Sequence, residues 1–273
     1  MNIGGGMRVR RFLPKPRRRL IGAWCFVDAF SSTESQMSIP SHPHCGLQTV
    51  SWLLEGRNDH RDSLGNHAEN GPSDLAIMTA GHGIAHAEAT PPDYRGPSRG
   101  IQLWVALPDA HRNVEPAFAL HSNLPLRQVD SASVIDVIGN GSPAHTFTPL
   151  ILQEVRVPAG GRVRLPLDPA HENAILPMVG DLEIEGNVWS ADALAYLGTG
   201  RTVVHLAAST DVIALVLGGE PLGEQVLMWW NFVARTWGEM RSARDAWAAE
   251  ERFGEVAGPR LAAPRLPQEP GPA

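Results

Sequence analysis

The chain has 273 residues, of which 23 are Lys or Arg and 29 are Asp or Glu, so its formal net charge is −6. This balance argues against a specific or general nucleic-acid-binding protein, because such proteins need excess positive charge to contact phosphates. Glycine (27) and proline (23) are abundant and follow no regular period. That composition excludes a helical bundle and a collagen-like chain, and it favours many short strands joined by turns.

The N-terminal end carries a basic arm that prolines interrupt. Its charged residues are Arg8, Arg10, Arg11, Lys15, Arg17, Arg18 and Arg19. We favour a solvated arm and keep a surface for an acidic partner as the alternative. The arm lacks the apolar segment of a secretion signal, and the apolar run at 212–217 is too short to span a membrane. With two cysteines that cannot form a disulfide framework, the sequence predicts a cytoplasmic protein without a membrane partner.

Short apolar runs bounded by turn residues follow the arm. Predicted strands cover 49–54, 75–79 and 101–107, and after a thinner Pro- and Gly-rich stretch at 109–149 they cover 155–157, 181–186, 193–197 and 212–217. Weak similarity between the two halves predicts a duplicated all-β domain of the antiparallel sandwich or barrel type. Near the end, Thr236 and Glu239 form a capping box, which predicts a helix with a docking face of Met240, Ala243 and Trp247.

Six of the 11 histidines lie between residues 42 and 88, and two pairs in this window suggest a metal site. His42 and His44 are separated by one residue, as are His86 and Glu88. Residues two apart in a strand point to the same face, so two such strands facing each other would supply three imidazoles and one carboxylate. This donor set suits a mid-to-late first-row divalent ion with room for water, substrate or dioxygen. It differs from a closed structural zinc site and is too rich in nitrogen for Ca²⁺.

Other residues of this window have weaker claims to the site. Cys45 should point away from His44 and form a buried apolar thiol. His60 and His67 are expected on a loop at the mouth of the pocket. His82 lies between two glycines and is a candidate for a position behind the ligands or beside the substrate.

The motifs together resemble the pirin family of two-cupin proteins. The matching segments are HPHCGLQTVSWLLEG from His42, HRDSLG from His60, MTAGHGIAHAE from Met78, QLWVALP from Gln102, SPAHTFTPL from Ser142 and GGEPLGEQV from Gly218. The resemblance implies an all-β chain of two cupin domains (double-stranded β-helix, or jelly-roll) in tandem plus a C-terminal helix. It places one metal in the first domain, at His42, His44, His86 and Glu88. The second domain is expected to lack metal, because 171–173 and 205–207 keep at most one histidine each.

The resemblance suggests four segments. They are an N-terminal metal-binding cupin at 1–138, a degenerate metal-free cupin at 139–225, a C-terminal helical segment at 226–258 and a Pro-rich flexible tail at 259–273. Several positions depart from the family pattern and are expected to alter the pocket wall. The family's Asp-His pair is Asp28-Ala29 here, and its GPFV segment is WNFV at 230–233. After the histidine pair, the family's Arg is Cys45, its Phe is Leu47 and its Glu is Gln48.

The family implies a dioxygenase that cleaves quercetin-type flavonols or a related enolic aromatic compound. Its partners would be a small flavonol-like substrate and dioxygen. Glu88, the only carboxylate of the set, is the expected catalytic proton acceptor. We expect one divalent transition metal, Fe(II) first, with Cu, Ni, Mn, Co or Zn as alternatives.

Two further hypotheses stay open beside the dioxygenase. The first is a non-catalytic, metal- or redox-responsive regulatory protein that binds a transcription factor or a metabolic enzyme through the basic arm. The second is a metal held only for stability, which a core of this size makes unnecessary.

Overall fold

A computed structural model describes residues 2–3, 7–34, 36–191 and 193–267, and almost all of its regular structure is β. The strands of the first half are β1 (Asn2–Ile3), β2 (Met7–Leu13), β3 (Trp24–Ser32), β4 (Ser38–His44), β5 (Leu47–Glu55), β6 (Asn58–Asp62), β7 (His67–Asn70), β8 (Leu75–Thr79), β9 (Ile84–Ala89), β10 (Ser98–Ala106) and β11 (Ala117–His121). The strands that follow are β12 (Leu126–Val129), β13 (Ala132–Ile138), β14 (Leu150–Val157), β15 (Arg162–Pro166), β16 (Glu172–Val179), β17 (Leu182–Ile184), β18 (Asn187–Trp189), β19 (Ala195–Gly198), β20 (Val203–Ala207), β21 (Val212–Gly219), β22 (Leu227–Trp229) and β23 (Phe232–Ala234). The helix of the described residues is α1 (Trp237–Ala248), and none of their helices has the length and apolar character of a membrane span.

Each half of the chain forms one large and one small antiparallel sheet. In the first half a seven-stranded sheet has the order β1-β2-β3-β10-β5-β8-β11, and a four-stranded sheet has the order β4-β9-β6-β7. The second half repeats this plan with a six-stranded sheet, β12-β13-β14-β21-β16-β19, and a four-stranded sheet, β15-β20-β17-β18. The prediction of two all-β domains of the same type followed by a helix is therefore confirmed.

The boundary between the domains lies earlier than the sequence suggested. We placed residues up to 138 in the first domain, but β12 and β13 belong to the large sheet of the second. Val134 of β13 lies opposite Val155 of β14, and both side chains belong to the core of the second domain. The structure therefore moves the boundary to the turn between β11 and β12. Burial of the alternating apolar side chains of β13 inside the second domain is the physical reason.

The two large sheets pack against each other and form the central core of the molecule. Alternate residues of β10, Ile101 and Leu103 among them, point into this core. Leu152 of β14 and Leu215 of β21 meet them from the second domain. The opposite face of the seven-stranded sheet is also buried, because it covers the interior of the first domain. Burial on both faces explains the nearly continuous apolar run that predicted β10.

Two tryptophans hydrogen-bond across this core. Nε1 of Trp24 donates to the carbonyl oxygen of Gly218 at 3.1 Å. Nε1 of Trp52 donates to Oε2 of Glu154 at 2.7 Å. The Glu154 side chain is only 1% exposed, so this bond helps to satisfy a carboxylate buried between the domains.

The C-terminal segment packs on the first domain, although the second domain precedes it in the chain. Helix α1 begins after Thr236, whose hydroxyl accepts the backbone N–H of Glu239, as the capping box predicted. The predicted docking face of α1 is buried in a cluster that also contains Cys45, Ala85 and Phe232. The helix therefore covers the outside of the domain that carries the histidine pairs.

Residues 259–267 fall in the tail that we predicted to be flexible, and residues 259–261 of it pair with the edge strand β4. The backbone of Ser41 donates to Pro259 at 2.9 Å and accepts from Leu261 at 2.8 Å. Nε1 of Trp247 on α1 donates a hydrogen bond to the carbonyl oxygen of Leu261 at 2.8 Å. These bonds satisfy edge groups that would otherwise need solvent, so residues 259–261 belong to the folded domain, and flexibility of the tail beyond them stays a prediction. Residues 268–273 of that tail lie outside the described residues.

We expect Trp52→Phe to lower the free energy of unfolding more than Trp24→Phe does. Both changes remove the same volume and one indole N–H, but Trp52 bonds a buried carboxylate and Trp24 bonds a neutral carbonyl. A hydrogen bond to a charged group is worth about 1 kcal/mol more than a neutral one, so the two variants should differ by that amount. Urea denaturation of both variants measures the difference, and equal losses would contradict it.

Candidate metal centre

Three histidines of the first domain lie side by side in its interior. Strand β4 carries His42 and His44, and its hydrogen-bonded neighbour β9 carries His86 directly opposite His42. One ring nitrogen from each histidine lies within 4.8 Å of the others, and all three residues are buried. The period-two spacing therefore predicted the shared face correctly. The two strands are neighbours in one sheet rather than strands facing each other, and close cross-strand pairing brings the rings together.

A β-bulge in β4 sets the position of this pair. Ile39 lies opposite Glu88 and His42 lies opposite His86, so β4 has one more residue than β9 over the same distance. Bulges bend a strand and reorient its side chains, and they are common beside functional sites. The carbonyl oxygen of Pro40, within the bulge, lies 2.9 Å from Nδ1 of His42.

Each of the three imidazoles has a partner at Nδ1. His42 Nδ1 faces the Pro40 carbonyl, and His44 Nδ1 lies 2.9 Å from the carbonyl oxygen of Asn231 in the C-terminal segment. His86 Nδ1 lies 3.4 Å from Nδ1 of His60. A carbonyl can only accept, so Nδ1 of His42 and of His44 donates and Nε2 keeps a lone pair. Outer hydrogen bonds of this kind fix the tautomer and orientation of metal-binding histidines.

Burial keeps the three rings neutral. It lowers the pKa of His42 to about 4, although the bond to Pro40 works in the opposite direction. Burial, reinforced by the neighbouring imidazoles, also lowers the pKa of His44 and of His86 well below the ordinary value. Neutral imidazoles have the lone pair that a metal requires. Nε2 of His86 is buried without a hydrogen-bond partner in the described structure. These features fit a divalent transition metal held by nitrogen ligands.

Glu88 lines a cavity together with His42 and His44. Among the described residues, the group of mutually close ligand atoms consists of the three histidines and does not include Glu88. Its side chain is buried, and Oε1 accepts a long hydrogen bond of 3.4 Å from Nδ2 of Asn58. Burial raises the pKa of this carboxyl above its ordinary value. Its predicted place as a fourth ligand therefore remains a proposal.

His60 is not the loop residue that we expected. It lies on β6 and is buried, and its ring stacks on Phe118 with centroids 4.1 Å apart. Its Nε2 lies 3.1 Å from Oδ2 of Asp62. His60 and Asp62 are two residues apart, the same spacing that identified the ligand pairs. That spacing was the available signal for a third buried pair on this sheet.

The remaining candidates of the window do not line the cavity. His67 on β7 is exposed and lies 2.6 Å from a carboxylate oxygen of Asp59. His82 is also exposed and pairs with Glu115 at 3.1 Å, so the structure does not place it behind the ligands. Cys45 is buried as predicted, and burial raises its pKa to about 11.

The matching interior of the second domain has a different character. His171 lies 3.9 Å from Asp168, whereas His205 is exposed beside Glu185. Aliphatic side chains of both sheets fill the space between them instead.

A cavity of about 300 Å³ adjoins His42 and His44. Its other lining residues are Met7, Val9, Arg11, Phe26, Asp28, Phe30, Met37, Ile39, Ser51, Leu53, Arg57, Asn58, Glu88, Ser98, Gln102, Trp104, Trp230, Asn231 and Leu261. Most of the wall surface is apolar. Some of its polar side chains bond to another lining residue, Ser51 to Gln102 and Asn58 to Glu88, whereas Arg57 pairs with Glu69 and Asp93 outside the cavity. Such a cavity suits a small, largely apolar molecule with a few hydrogen-bonding groups.

An aromatic pair and an ion pair lie in the wall of this cavity. The rings of Phe26 and Trp104 stack with centroids 4.1 Å apart. The Arg11 guanidinium lies 4.4 Å over the Phe26 ring and bonds both oxygens of Asp28, at 2.9 and 2.8 Å. The bidentate bond raises the pKa of Arg11, so this pair is a fixed charged element in an otherwise apolar wall.

The C-terminal segment completes the cavity. The backbone N–H of Val233 on β23 donates to the carbonyl of Cys45 at 3.0 Å. Gly46, which follows Cys45, has φ +72°, and a Cβ at this position would collide with the carbonyl oxygen of Val233. A glycine after the histidine pair therefore permits the close approach that brings Trp230 and Asn231 into the wall.

The departures from the family pattern differ in whether they reach the cavity. Trp230 and Asn231 line it, so these two changes do alter the wall. Ala29, where the family has His, is not among the lining residues and packs against the central core. The changes at 45, 47 and 48 are not among its lining residues, and Gln48 bonds Thr79 instead, at 2.9 Å.

Comparison with known proteins agrees with this architecture. Residues 6–105 match the Pirin family and residues 152–254 match the Pirin C-terminal cupin domain. A Pseudomonas aeruginosa protein named "Putative quercetin 2,3-dioxygenase" is 40% identical over 277 residues, which cover 97% of this chain and 88% of that protein. A pirin-like protein of Caulobacter vibrioides is 32% identical and aligns with 90% of this chain and 89% of its own.

A solved structure is similar over nearly the whole length. The crystal structure of quercetin 2,3-dioxygenase from Acinetobacter baumannii superposes with a TM-score of 0.94 at 36% identity, covering 98% of this chain and 94% of that one. Both cupin domains and the C-terminal segment are thus shared, and the chain belongs to the pirin family.

Proposed function

We propose that this protein is a metal-dependent dioxygenase that cleaves quercetin-type flavonols or a related enolic aromatic compound. The observation that carries this proposal is a cluster of three neutral histidines beside an apolar cavity that also holds one buried carboxylate. The names of the similar P. aeruginosa and A. baumannii proteins support the same reaction class.

In this proposal His42, His44 and His86 hold one divalent transition metal, with Glu88 as the fourth ligand. Fe(II) is our first expectation, and Cu, Ni, Mn, Co or Zn also suit the donor set, because imidazole and carboxylate do not select among them. When bound, the ion supplies Lewis acidity, which lowers the free energy of negative charge on a substrate oxygen.

Glu88 is the proposed acceptor of the proton from the 3-hydroxyl of the flavonol. Its carboxylate is buried in the cavity wall, where Oε1 accepts a long bond of 3.4 Å from Asn58, so it borders the space that a substrate would occupy. In the balanced reaction both atoms of dioxygen enter the flavonol, its central ring opens, and one ring carbon leaves as carbon monoxide.

The cavity wall supplies binding and orientation. The Trp104 ring, supported by its stack on Phe26, offers an aromatic surface to a substrate ring, and the Arg11–Asp28 pair offers hydrogen bonds to ring hydroxyls. Trp230, from the C-terminal segment, adds a further aromatic surface.

The two alternatives from the sequence receive less support. The regulatory hypothesis relied on the basic arm, but Arg11 is paired with Asp28 and Arg18 lies 3.2 Å over the ring of Tyr196. These two charges therefore have partners within the protein. A metal held only for stability would not need an adjoining cavity.

We expect His44→Gln and His86→Gln each to lower metal affinity by more than about 100-fold, because loss of a ligand exceeds the 10- to 100-fold loss typical of outer contacts. The measurement is metal content of the purified protein together with titration by Ni²⁺. His82→Gln, an exposed histidine outside the cavity, is the matched control and should bind as the unchanged protein does. Retention of full affinity by both ligand variants would refute the three-histidine site.

We expect iron- or copper-loaded protein to consume quercetin in air and to release carbon monoxide. Glu88→Gln should lower kcat by about 10²- to 10⁴-fold, the usual contribution of a general base. Glu115→Gln, in which the changed carboxylate is 92% exposed and outside the cavity, serves as the control. The proposed activity is refuted if the iron- or copper-loaded protein leaves quercetin unchanged in air and the Glu88→Gln variant gives the same result.

A further inference from the structure

A buried chain of hydrogen bonds runs from Asp62 through His60 to His86. Asp62 and His60 lie on β6, beside β9, and Asp62 is directly opposite His86. Oδ2 of Asp62 is 3.1 Å from Nε2 of His60, and Nδ1 of His60 is 3.4 Å from Nδ1 of His86. The three residues are 5%, 4% and 1% exposed, respectively. Solvent therefore does not replace these bonds, and their protons must be arranged consistently.

Asp62 can only accept in this arrangement. Its Oδ1 accepts the backbone N–H groups of Leu64 and Asn66 at 3.0 and 3.1 Å. Its Oδ2 accepts from Nδ2 of Asn66 at 2.9 Å as well as from His60. Burial alone would raise the pKa of Asp62, but the bonds from His60 and Asn66 outweigh it and the pKa is lowered. An ionised, acceptor-only carboxylate requires that Nε2 of His60 carries a hydrogen.

This hydrogen determines the remaining protons. When His60 is neutral and carries its hydrogen on Nε2, it has a lone pair on Nδ1, so the facing Nδ1 of His86 must be the donor. His86 then keeps its lone pair on Nε2, the buried atom that has no partner in the described structure. If His60 were reversed, His86 would carry hydrogen on Nε2, where no acceptor lies near and no cation could bind.

His86 differs in this respect from the other two histidines of the cluster. Nδ1 of His42 and of His44 faces a backbone carbonyl, which can only accept. The partner of His86 is an imidazole, which can donate or accept at the same atom. A second group must therefore decide its direction, and Asp62 is in contact with the other nitrogen.

We propose that Asp62 and His60 are positioning residues that hold His86 in the metal-binding tautomer. This inference rests on the metal site of the proposed function but not on the flavonol reaction. The ring of His60 is kept in place by its stack on Phe118, at an interplanar angle of 7°. The two bonds and the stack together leave His60 little freedom to turn.

Asp62→Asn is the sharpest test. Oδ1 of Asp62 accepts from the backbone N–H groups of Leu64 and Asn66 and also from Nδ2 of Asn66, so the amide oxygen of the variant takes that position. The new amide nitrogen then replaces Oδ2, loses the bond from Nδ2 of Asn66 at that atom, and donates to Nε2 of His60. His60 then carries hydrogen on Nδ1, and His86 is driven to the form with hydrogen on Nε2. Co²⁺ affinity of the metal-free full-length chain should fall about 10- to 100-fold, with a matching loss of the Co²⁺ visible absorption at fixed metal concentration.

Two further variants separate positioning from general structural damage. His60→Phe keeps the stack on Phe118 but removes the ring that transmits the effect, so adding Asp62→Asn to it should cause no further loss of Co²⁺ affinity. His67→Gln, which changes the exposed histidine bonded to Asp59 on the same sheet, should bind as the unchanged protein does.

The tautomers themselves can be read in metal-free protein by ¹⁵N spectra of the imidazole rings. We expect hydrogen on Nε2 of His60 and on Nδ1 of His86, and reversal of both in Asp62→Asn. The inference is overturned if the unchanged protein has hydrogen on Nε2 of His86, or if Asp62→Asn binds Co²⁺ with undiminished affinity. If the protein and its variants bind Co²⁺ as described but the protein leaves quercetin intact, the proposed flavonol reaction is refuted and this inference is supported. Protein without Co²⁺ affinity overturns both.

Discussion

Three imidazoles packed together in a buried interior must remain neutral, and each must direct its single N–H away from the others. The rest of the candidate metal centre depends on this constraint. His42 is satisfied locally, by the carbonyl of Pro40 in the bulge of its own strand. His44 is satisfied by Asn231, which lies 187 residues further along the chain, and His86 faces His60 on the neighbouring strand. His42 and His44 therefore keep the lone pair on Nε2 before any ion arrives, and an outer hydrogen bond of this kind is what metal-binding histidines usually have.

The C-terminal segment is part of this site rather than an appendage. The edge strand β4 carries two of the histidines, and an open edge would leave its backbone groups unpaired. Residues 259–261 pair with Ser41, and the β22–β23 hairpin approaches Gly46 on the other side of the histidine pair. The same two contacts bring Trp230 and Leu261 into the cavity wall. Stability of the metal-bearing strand and shape of the cavity therefore depend on the same segment.

The two domains share one sheet plan and differ in what fills them. Aliphatic side chains fill the second domain, and its large sheet supports the back of the seven-stranded sheet. With that sheet buried on both faces, the first domain can give up apolar packing in its interior to histidines and a cavity. The tryptophan bonds across the boundary, from Trp24 and Trp52, add directional contacts to this otherwise apolar support.

Local periodicity in the sequence predicted many of the strands, the C-terminal helix and the shared face of the two histidines on β4. The period of two along a strand placed His42 with His44 on one face, and the capping box located the start of α1. No strand was predicted within the Pro- and Gly-rich stretch 109–149, so β13 and its place beside β14 were missed. The Pro-rich composition after residue 258 suggested a free tail, although prolines are also tolerated beside an edge strand.

What the sequence determined by itself is the set of donor atoms and their common faces, because both follow from backbone geometry within a few residues. Only the tertiary structure decided which groups orient those donors. The partner of His44 is a backbone carbonyl, a group that every residue carries, so no side chain marks Asn231 in the sequence. The Asp62–His60 pair has the right spacing, but its role exists only because β6 lies beside β9. Hydrogen bonds between distant segments depend on strand order, and strand order is set by the packing of the whole domain.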